Sequence, residues 1–306
     1  MENHFRKDLF AMKILITGGS GFLGQHLNLE LAKYHDIITL YNQNEGNCKY
    51  FKNFRADICD KNELNNIFGS FPPNVVVHTA AVSTQQKADT LSTKIAYETN
   101  VLASKNLAEL CSKYNSKLIY TSTDLVYAGY RGSLLNEEAK LIPISLYAET
   151  KLMGEEKIKD TFDNYIILRT ALLFGFGLNG TSRFFHKMYD KLKAGIKVKV
   201  FYDQFRSPLS VIEAARIINF LSASDIKGET INFGGKERLS RYHLGLILCR
   251  AAGLDETLLE KTSMYDLPDL PHVADVSMNI AKLQSFGIML KSTEEALKEI
   301  FQNRLV

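Results

Sequence analysis

Met12-Lys13-Ile14-Leu15-Ile16-Thr17-Gly18-Gly19-Ser20-Gly21-Phe22-Leu23-Gly24 decides the reading of this chain. A short apolar, β-prone run predicts a buried strand. Glycines at 18, 21 and 24 follow, and then a helical pattern through Leu27, Leu29, Leu31 and Ala32. In that context each glycine has a task. Gly18 permits a tight turn, Gly21 lets a pyrophosphate approach the backbone, and Gly24 lets helix pack on strand. The helix start offers free N–H groups and the positive end of its dipole to phosphates. Gly18, Ser20, Gly21, Phe22, Leu23 and Gly24 are therefore candidate dinucleotide contacts.

The same rhythm continues outward. Strands are expected at Asp36–Tyr41, Val75–Ala80, Lys117–Thr121 and Tyr165–Arg169, with helices at Tyr97–Tyr114 and Leu146–Phe162. Strands alternating with helices of this length imply right-handed βαβ units. The fold class is α/β, a Rossmann-type doubly wound parallel sheet with a smaller C-terminal substrate-binding region. Residues 1–170 are read as the nucleotide-binding core and 171–306 as mainly the substrate region, partly interleaved with it. Beyond Thr170 the sequence suggests a glycine-rich loop at Phe174–Gly180, a helix at Arg183–Ala194 and a strand at Val198–Phe201. A helix opened by Pro208 runs to Leu221, and another, capped by Ser240, is ended by Gly253.

Composition narrows the class. Of 306 residues, 45% are hydrophobic and 23% charged, a globular balance that excludes a disordered chain. A net charge of +3 without a basic stripe argues against a nucleic-acid partner. Cys48, Cys59, Cys111 and Cys249 show no Cys-x2-Cys spacing, so neither a metal site nor a disulfide framework is expected. Met1–Asp8 lacks an apolar signal-like run, and no stretch of apolar residues is long enough to span a bilayer. The expectation is a cytoplasmic enzyme or binding protein without a membrane partner.

At the far end of the dinucleotide site, the second strand runs into Leu40-Tyr41-Asn42-Gln43. An acid there would bind the ribose diol of NAD and repel a 2′-phosphate. Its replacement by Asn42 favours NADP, with NAD on a plain ribose as the alternative. Arg55 is a further candidate for the 2′-phosphate. Asp57, followed by Ile58, is read either as an acceptor for the adenine amino group or as a local cap, Asp60 being the better cap of the helix near Lys61.

Tyr147-Ala148-Glu149-Thr150-Lys151 places a phenol and an ammonium on one helical face. A nearby ammonium favours phenolate, so Lys151 is expected to lower the Tyr147 pKa. Such a tyrosine gives a proton to a carbonyl being reduced. Thr121-Ser122-Thr123-Asp124 closes a strand at the sheet edge where ligands bind, so Thr123 could share the substrate oxygen.

Together the glycine loop, Thr123 and Tyr147-x3-Lys151 resemble the extended short-chain dehydrogenase/reductases over nearly the whole chain. Ser122-Thr123-Asp124-x-Val126-Tyr127, Thr150-Lys151-Leu152-x-Gly154-Glu155 and Asp203-Gln204-x-Arg206-Ser207-Pro208 are most similar to the dTDP-4-dehydrorhamnose reductases and their sugar-nucleotide-binding relatives. The resemblance implies that Thr123, Tyr147 and Lys151 are catalytic. It also implies that Thr79, Ala80, Ala81, Asn100, Thr170, Tyr147 and Lys151 flank the cofactor. The expected reaction is NAD(P)H-dependent reduction of a 4-keto group on a deoxy-sugar nucleotide, in a homodimer. Alternatives within the resemblance are an NAD-dependent 4-epimerase and an NADP-binding regulatory subunit like that of methionine adenosyltransferase. Leu125 stands where a dehydratase carries a second acid, and no cysteine lies between Thr121 and Tyr127 as the epimerase-reductases require. Ala148 and Leu209 depart from the reductase pattern.

On the substrate side, Asp124 and Arg206 are candidates, Arg206 either forking onto a phosphate or forming a salt bridge. Arg183 is a further diphosphate candidate. Asp203 and Gln204 are read as organising the pocket or binding sugar hydroxyls, with local turn bonding as the alternative. His78 is read as a packed, backbone-bonded histidine.

Overall fold

The computed structural model describes residues 11–83, 90–181, 183–266 and 272–302; Met1–Asp8 lies outside them. Six strands belong to the first part of the chain: β1 (Lys13–Thr17), β2 (Asp36–Tyr41), β3 (Asn53–Arg55), β4 (Val75–His78), β5 (Lys117–Thr123) and β6 (Tyr165–Thr170). Short pieces follow: β7 (Leu173–Phe174), β8 (Val198–Phe201), β9 (Phe205–Arg206), β10 (Leu209–Ser210), β11 (Glu229–Phe233), β12 (Leu239–Ser240) and β13 (Leu259–Thr262). The helices are α1 (Phe22–Leu31), α2 (Lys61–Ser70), α3 (Thr90–Tyr97), α4 (Ala103–Tyr114), α5 (Leu146–Lys159), α6 (Phe184–Lys193), α7 (Val211–Ser222), α8 (Arg241–Ala252), α9 (Ala281–Ser285) and α10 (Thr293–Gln302).

Seven strands form one sheet in the order β11-β6-β5-β4-β1-β2-β3, every neighbouring pair parallel. A parallel sheet must be covered on both faces. Ile14 and Ile16 point into the layer holding Leu27, Leu31, Ile218 and Leu221, while Leu15 points into the layer holding Leu64, Leu107 and Ile158. Period-two alternation in an all-apolar strand thus serves two cores. The strand order reverses between β1 and β4, and a crevice opens there at the carboxyl ends.

β11 and α7, both beyond residue 170, complete this sheet and its cover. A second core gathers Phe174, Phe185, Leu192, Val200, Leu244, Leu248 and Leu297 around the β8–β13 pair. The expected single helix Tyr97–Tyr114 is instead α3, a π-helical turn at Glu98–Leu102, and α4. The Asn100 side chain, within the π turn, is fully engaged. It bonds Val82 O at 3.0 Å and Thr150 Oγ1 at 2.9 Å, and accepts from Val82 N at 2.9 Å. Pro208 precedes α7 by three residues and lies in the turn between β9 and β10.

Candidate active site

A cleft of about 2640 Å³ runs along the carboxyl edge of the sheet. That exceeds the roughly 300–1,000 Å³ of a single small-ligand pocket and suits two bound molecules. One end is walled by Gly18, Ser20, Gly21, Phe22, Leu23 and Gly24. Gly18 takes φ +68°, which a side chain resists, and a Cβ there would meet the Ala80 backbone at 2.7 Å. At Gly24 a Cβ would lie 2.1 Å from Gly18 O. At Gly21 the nearest atom would be Gly18 O at 3.1 Å, and the rest of that space is open cleft. Gly21 is also the N-cap of α1 without a side-chain bond, so first-turn N–H groups are left for a ligand. An open space beside uncapped amides fits a dinucleotide pyrophosphate.

Asn42, Asp57, Ile58, Thr79, Ala80, Ala81 and Thr170 line the same cleft. Arg55 Nε donates to Asn42 O at 3.1 Å, which keeps its charge near the end of β2. Asp57 accepts from Cys59 N at 2.9 Å, while Asp60 caps α2 through the N–H groups of Asn62 and Glu63. Asn100 does not reach the wall; its amide is consumed by the Val82 and Thr150 bonds described above.

Thr123, Asp124, Tyr147 and Arg183 meet at the middle of the cleft. Ser145 caps α5 by accepting from Ala148 N at 3.3 Å, which sets Tyr147 in the first turn. Thr123 ends β5, and its hydroxyl accepts from Leu125 N at 3.2 Å. Burial pushes the Tyr147 phenol up to about 12 and Asp124 pushes it further, while the Thr123 hydroxyl and the Arg183 charge oppose.

Lys151, expected to flank the cofactor, sits behind this row and off the cleft wall, 1% exposed, with Nζ 3.9 Å from the centroid of the Tyr120 ring. Burial lowers its ammonium to about 7, against the pull of Glu155. The expected lowering of the Tyr147 pKa by Lys151 is thus corrected: desolvation dominates both groups, moving the phenol up and the ammonium down. Glu155 is held in turn by Arg169, Nη2 to Oε2 at 2.9 Å, and by the Ser122 hydroxyl.

His78 is fully buried. The Ser104 hydroxyl donates to Asn100 O at 2.8 Å, so it accepts from His78 Nε2–H at 3.0 Å; Nδ1 then accepts from Thr17 Oγ1 at 2.7 Å. Burial, and secondarily the Lys151 charge, lowers His78 to about 3, so it is a neutral spacer. Its partners are side-chain hydroxyls, where backbone was expected.

At the other end, Arg206 Nη1 stands 3.1 Å from Asp124 Oδ2, both side chains buried. Burial raises the Asp124 carboxyl, against the charge of Arg206. Asp203 and Gln204, candidates for the sugar hydroxyls, lie outside the wall with their side chains on other partners. Asp203 accepts from Met264 N at 2.9 Å and from the Ser263 hydroxyl, and Gln204 Oε1 accepts from Arg241 Nε at 2.6 Å. Arg241 lines the cleft and was not singled out from sequence. It follows the capping Ser240, and only the antiparallel β9–β12 pairing brings that helix start beside Arg206. Burial, and then the like charge of Arg206, lowers its pKa to about 10. Among the described residues no cluster of three or more His, Cys, Asp or Glu is placed to hold a metal, and no helix is long and apolar enough to cross a membrane.

Known proteins resemble this chain in sequence and in fold. The chain is 27% identical to a dTDP-4-dehydrorhamnose reductase of Aggregatibacter actinomycetemcomitans, over 94% of this chain and 98% of that one. It is 25% identical to methionine adenosyltransferase 2 subunit beta of Pongo abelii, over 90% and 83%. A crystal structure of dTDP-4-dehydrorhamnose reductase from Bacillus anthracis in complex with NADP superposes with a TM-score of 0.84, at 24% identity, over 96% of this chain and all of that one. Residues 12–306 match the model of the RmlD substrate binding domain, and the chain belongs to that family.

Proposed function

We propose that this protein is an NAD(P)H-dependent reductase of a 4-keto group on a deoxy-sugar nucleotide, with NADP the favoured dinucleotide. One observation carries the reading. The uncapped glycine loop, the Thr123–Tyr147 pair and the charged wall of Asp124 and Arg206 line a single cleft. Family membership and the reductase relative support it.

A reduced nicotinamide, when bound, supplies the hydride. Tyr147 gives its proton to the ketone oxygen as that oxygen becomes an alkoxide. A phenol pushed up to about 12 is fully protonated at neutral pH, the form that reduction needs. The Thr123 hydroxyl holds the same oxygen. Lys151, packed on the Tyr120 ring outside the cleft wall, is assigned to supporting Tyr147 from behind. Arg206 and Arg183 are assigned to the anionic part of the substrate, and Asp124 to its orientation.

The test is NADPH and NADH oxidation against a panel of 4-keto-6-deoxy sugar nucleotides, with product stereochemistry read by NMR. Stoichiometric formation of the 4-hydroxy sugar is expected. A protein that binds dinucleotide, turns over none of the panel and captures a methionine adenosyltransferase would instead belong with the regulatory-subunit relatives.

A further inference from the structure

Two guanidinium groups and one carboxylate share the far wall of the cleft. Arg206 is 6% exposed, and its Nη1 forms an ion pair with Asp124 Oδ2 at 3.1 Å. Arg241 opens α8 beside them. Its Nε donates to Gln204, and its guanidinium lies 4.7 Å from the centroid of the Phe184 ring. Among the described residues no carboxylate forms an ion pair with Arg241. Asp124 faces both guanidinium groups, so the three together leave a net positive charge on the cleft wall, open to an anion.

We propose that Arg241, held in place by Gln204 and Phe184, is a specificity-determining residue that receives the substrate's diphosphate together with Arg206. The inference rests on the sugar-nucleotide reading and deepens it. Planar forks from two separate elements match the oxygens of two linked phosphates. Their place also fits: Asp124, paired to Arg206, directly follows Thr123, so a diphosphate here leaves its sugar beside Tyr147. The dinucleotide's own pyrophosphate has the glycine loop at the opposite end of the cleft.

The experiment is titration calorimetry on the full chain saturated with NADP⁺, which blocks the dinucleotide end. The probes are dTDP, UDP and GDP. At least one should bind the wild type, and Arg241→Met should weaken it roughly 10- to 100-fold, as expected for a charged pair. Arg241→Lys should recover part of the loss. Gln204→Leu, which keeps the charge but frees the side chain, should fall between. Affinity for NADP⁺ alone, unchanged in each variant, reports an intact fold. Wild-type affinity for the diphosphate in folded Arg241→Met and Gln204→Leu would overturn the role of Arg241 and leave the sugar-nucleotide reading standing. Failure of every probe to bind the wild type would overturn that reading and the inference with it.

Discussion

Lys151 Nζ lies 3.9 Å from the centroid of the Tyr120 ring, one α-helical turn beyond Tyr147 and one before Glu155. The ring face attracts the ammonium, yet burial outweighs it and lowers the lysine from 10.5 to about 7. The unfolded chain therefore binds more protons than the folded one between about pH 7 and 10.5. The lysine's cost to stability is full below that window and disappears through it as pH rises.

Lys151→Met should accordingly raise Tm near and below about pH 7, by the equivalent of a few kcal/mol at most, with the gain shrinking toward about pH 10. The same variant should lose reductase activity. Thermal melts across that pH range check the sign. A variant less stable than wild type near neutral pH would count against it.

The three motif glycines should separate by their surroundings. Gly24→Ala drives a Cβ onto Gly18 O and should destabilise the protein by more than about 2 kcal/mol. Gly21→Ala brings a Cβ to 3.1 Å from Gly18 O and otherwise into the open cleft, so its stability should fall by about 1 kcal/mol, less than in Gly24→Ala, while NADP⁺ affinity falls about tenfold or more. Melts and calorimetry on both variants distinguish the roles. Equal NADP⁺ affinity in Gly21→Ala would remove the pyrophosphate from this loop.

The proposed preference for NADP places cofactor choice at the end of β2, where Asn42 stands. Wild-type kcat/KM should be at least as high with NADPH as with NADH. Asn42→Asp should shift the ratio toward NADH by about tenfold, through repulsion of the 2′-phosphate and a new acceptor for the ribose diol. A strong wild-type preference for NADH, or a ratio unmoved by the substitution, would contradict this.

Leu125 leaves Asp124 without a second acid at the end of β5. The protein should not convert an intact dTDP- or GDP-hexose into its 4-keto-6-deoxy form. Mass spectrometry would show the loss of water if it did.

The sheet was legible because its signals are local. An apolar run into spaced glycines, and repeated strand–helix alternation, need no tertiary information. So were the helix caps Ser240 and Asp60, whose side chains bond the next turn. What escaped depends on distant partners. β9, β10 and β12 are two-residue strands defined only by their pairing, and Asn100 in the π turn bonds the distant Val82 and Thr150. Arg241 carries no motif. The Tyr147–Lys151 spacing was visible, but its electrostatics were not, since desolvation is a property of the packed layer. Asp203 and Gln204 form a motif in sequence yet act from behind the wall, on the Ser263–Met264 turn and on Arg241.

Proton transfer from Tyr147 is the centre of the account, and single-turnover oxidation of NADPH with a saturating 4-keto-6-deoxy sugar nucleotide tests it most directly, because product release is excluded. Tyr147→Phe keeps the ring and removes the proton. It should bind NADP⁺ as wild type does and slow the chemical step roughly 10²- to 10⁴-fold, about 3–5 kcal/mol. Thr123→Val should cost less, since it deletes one hydrogen bond and leaves the proton source. Ketone reduction by Tyr147→Phe at the wild-type rate would contradict the mechanism.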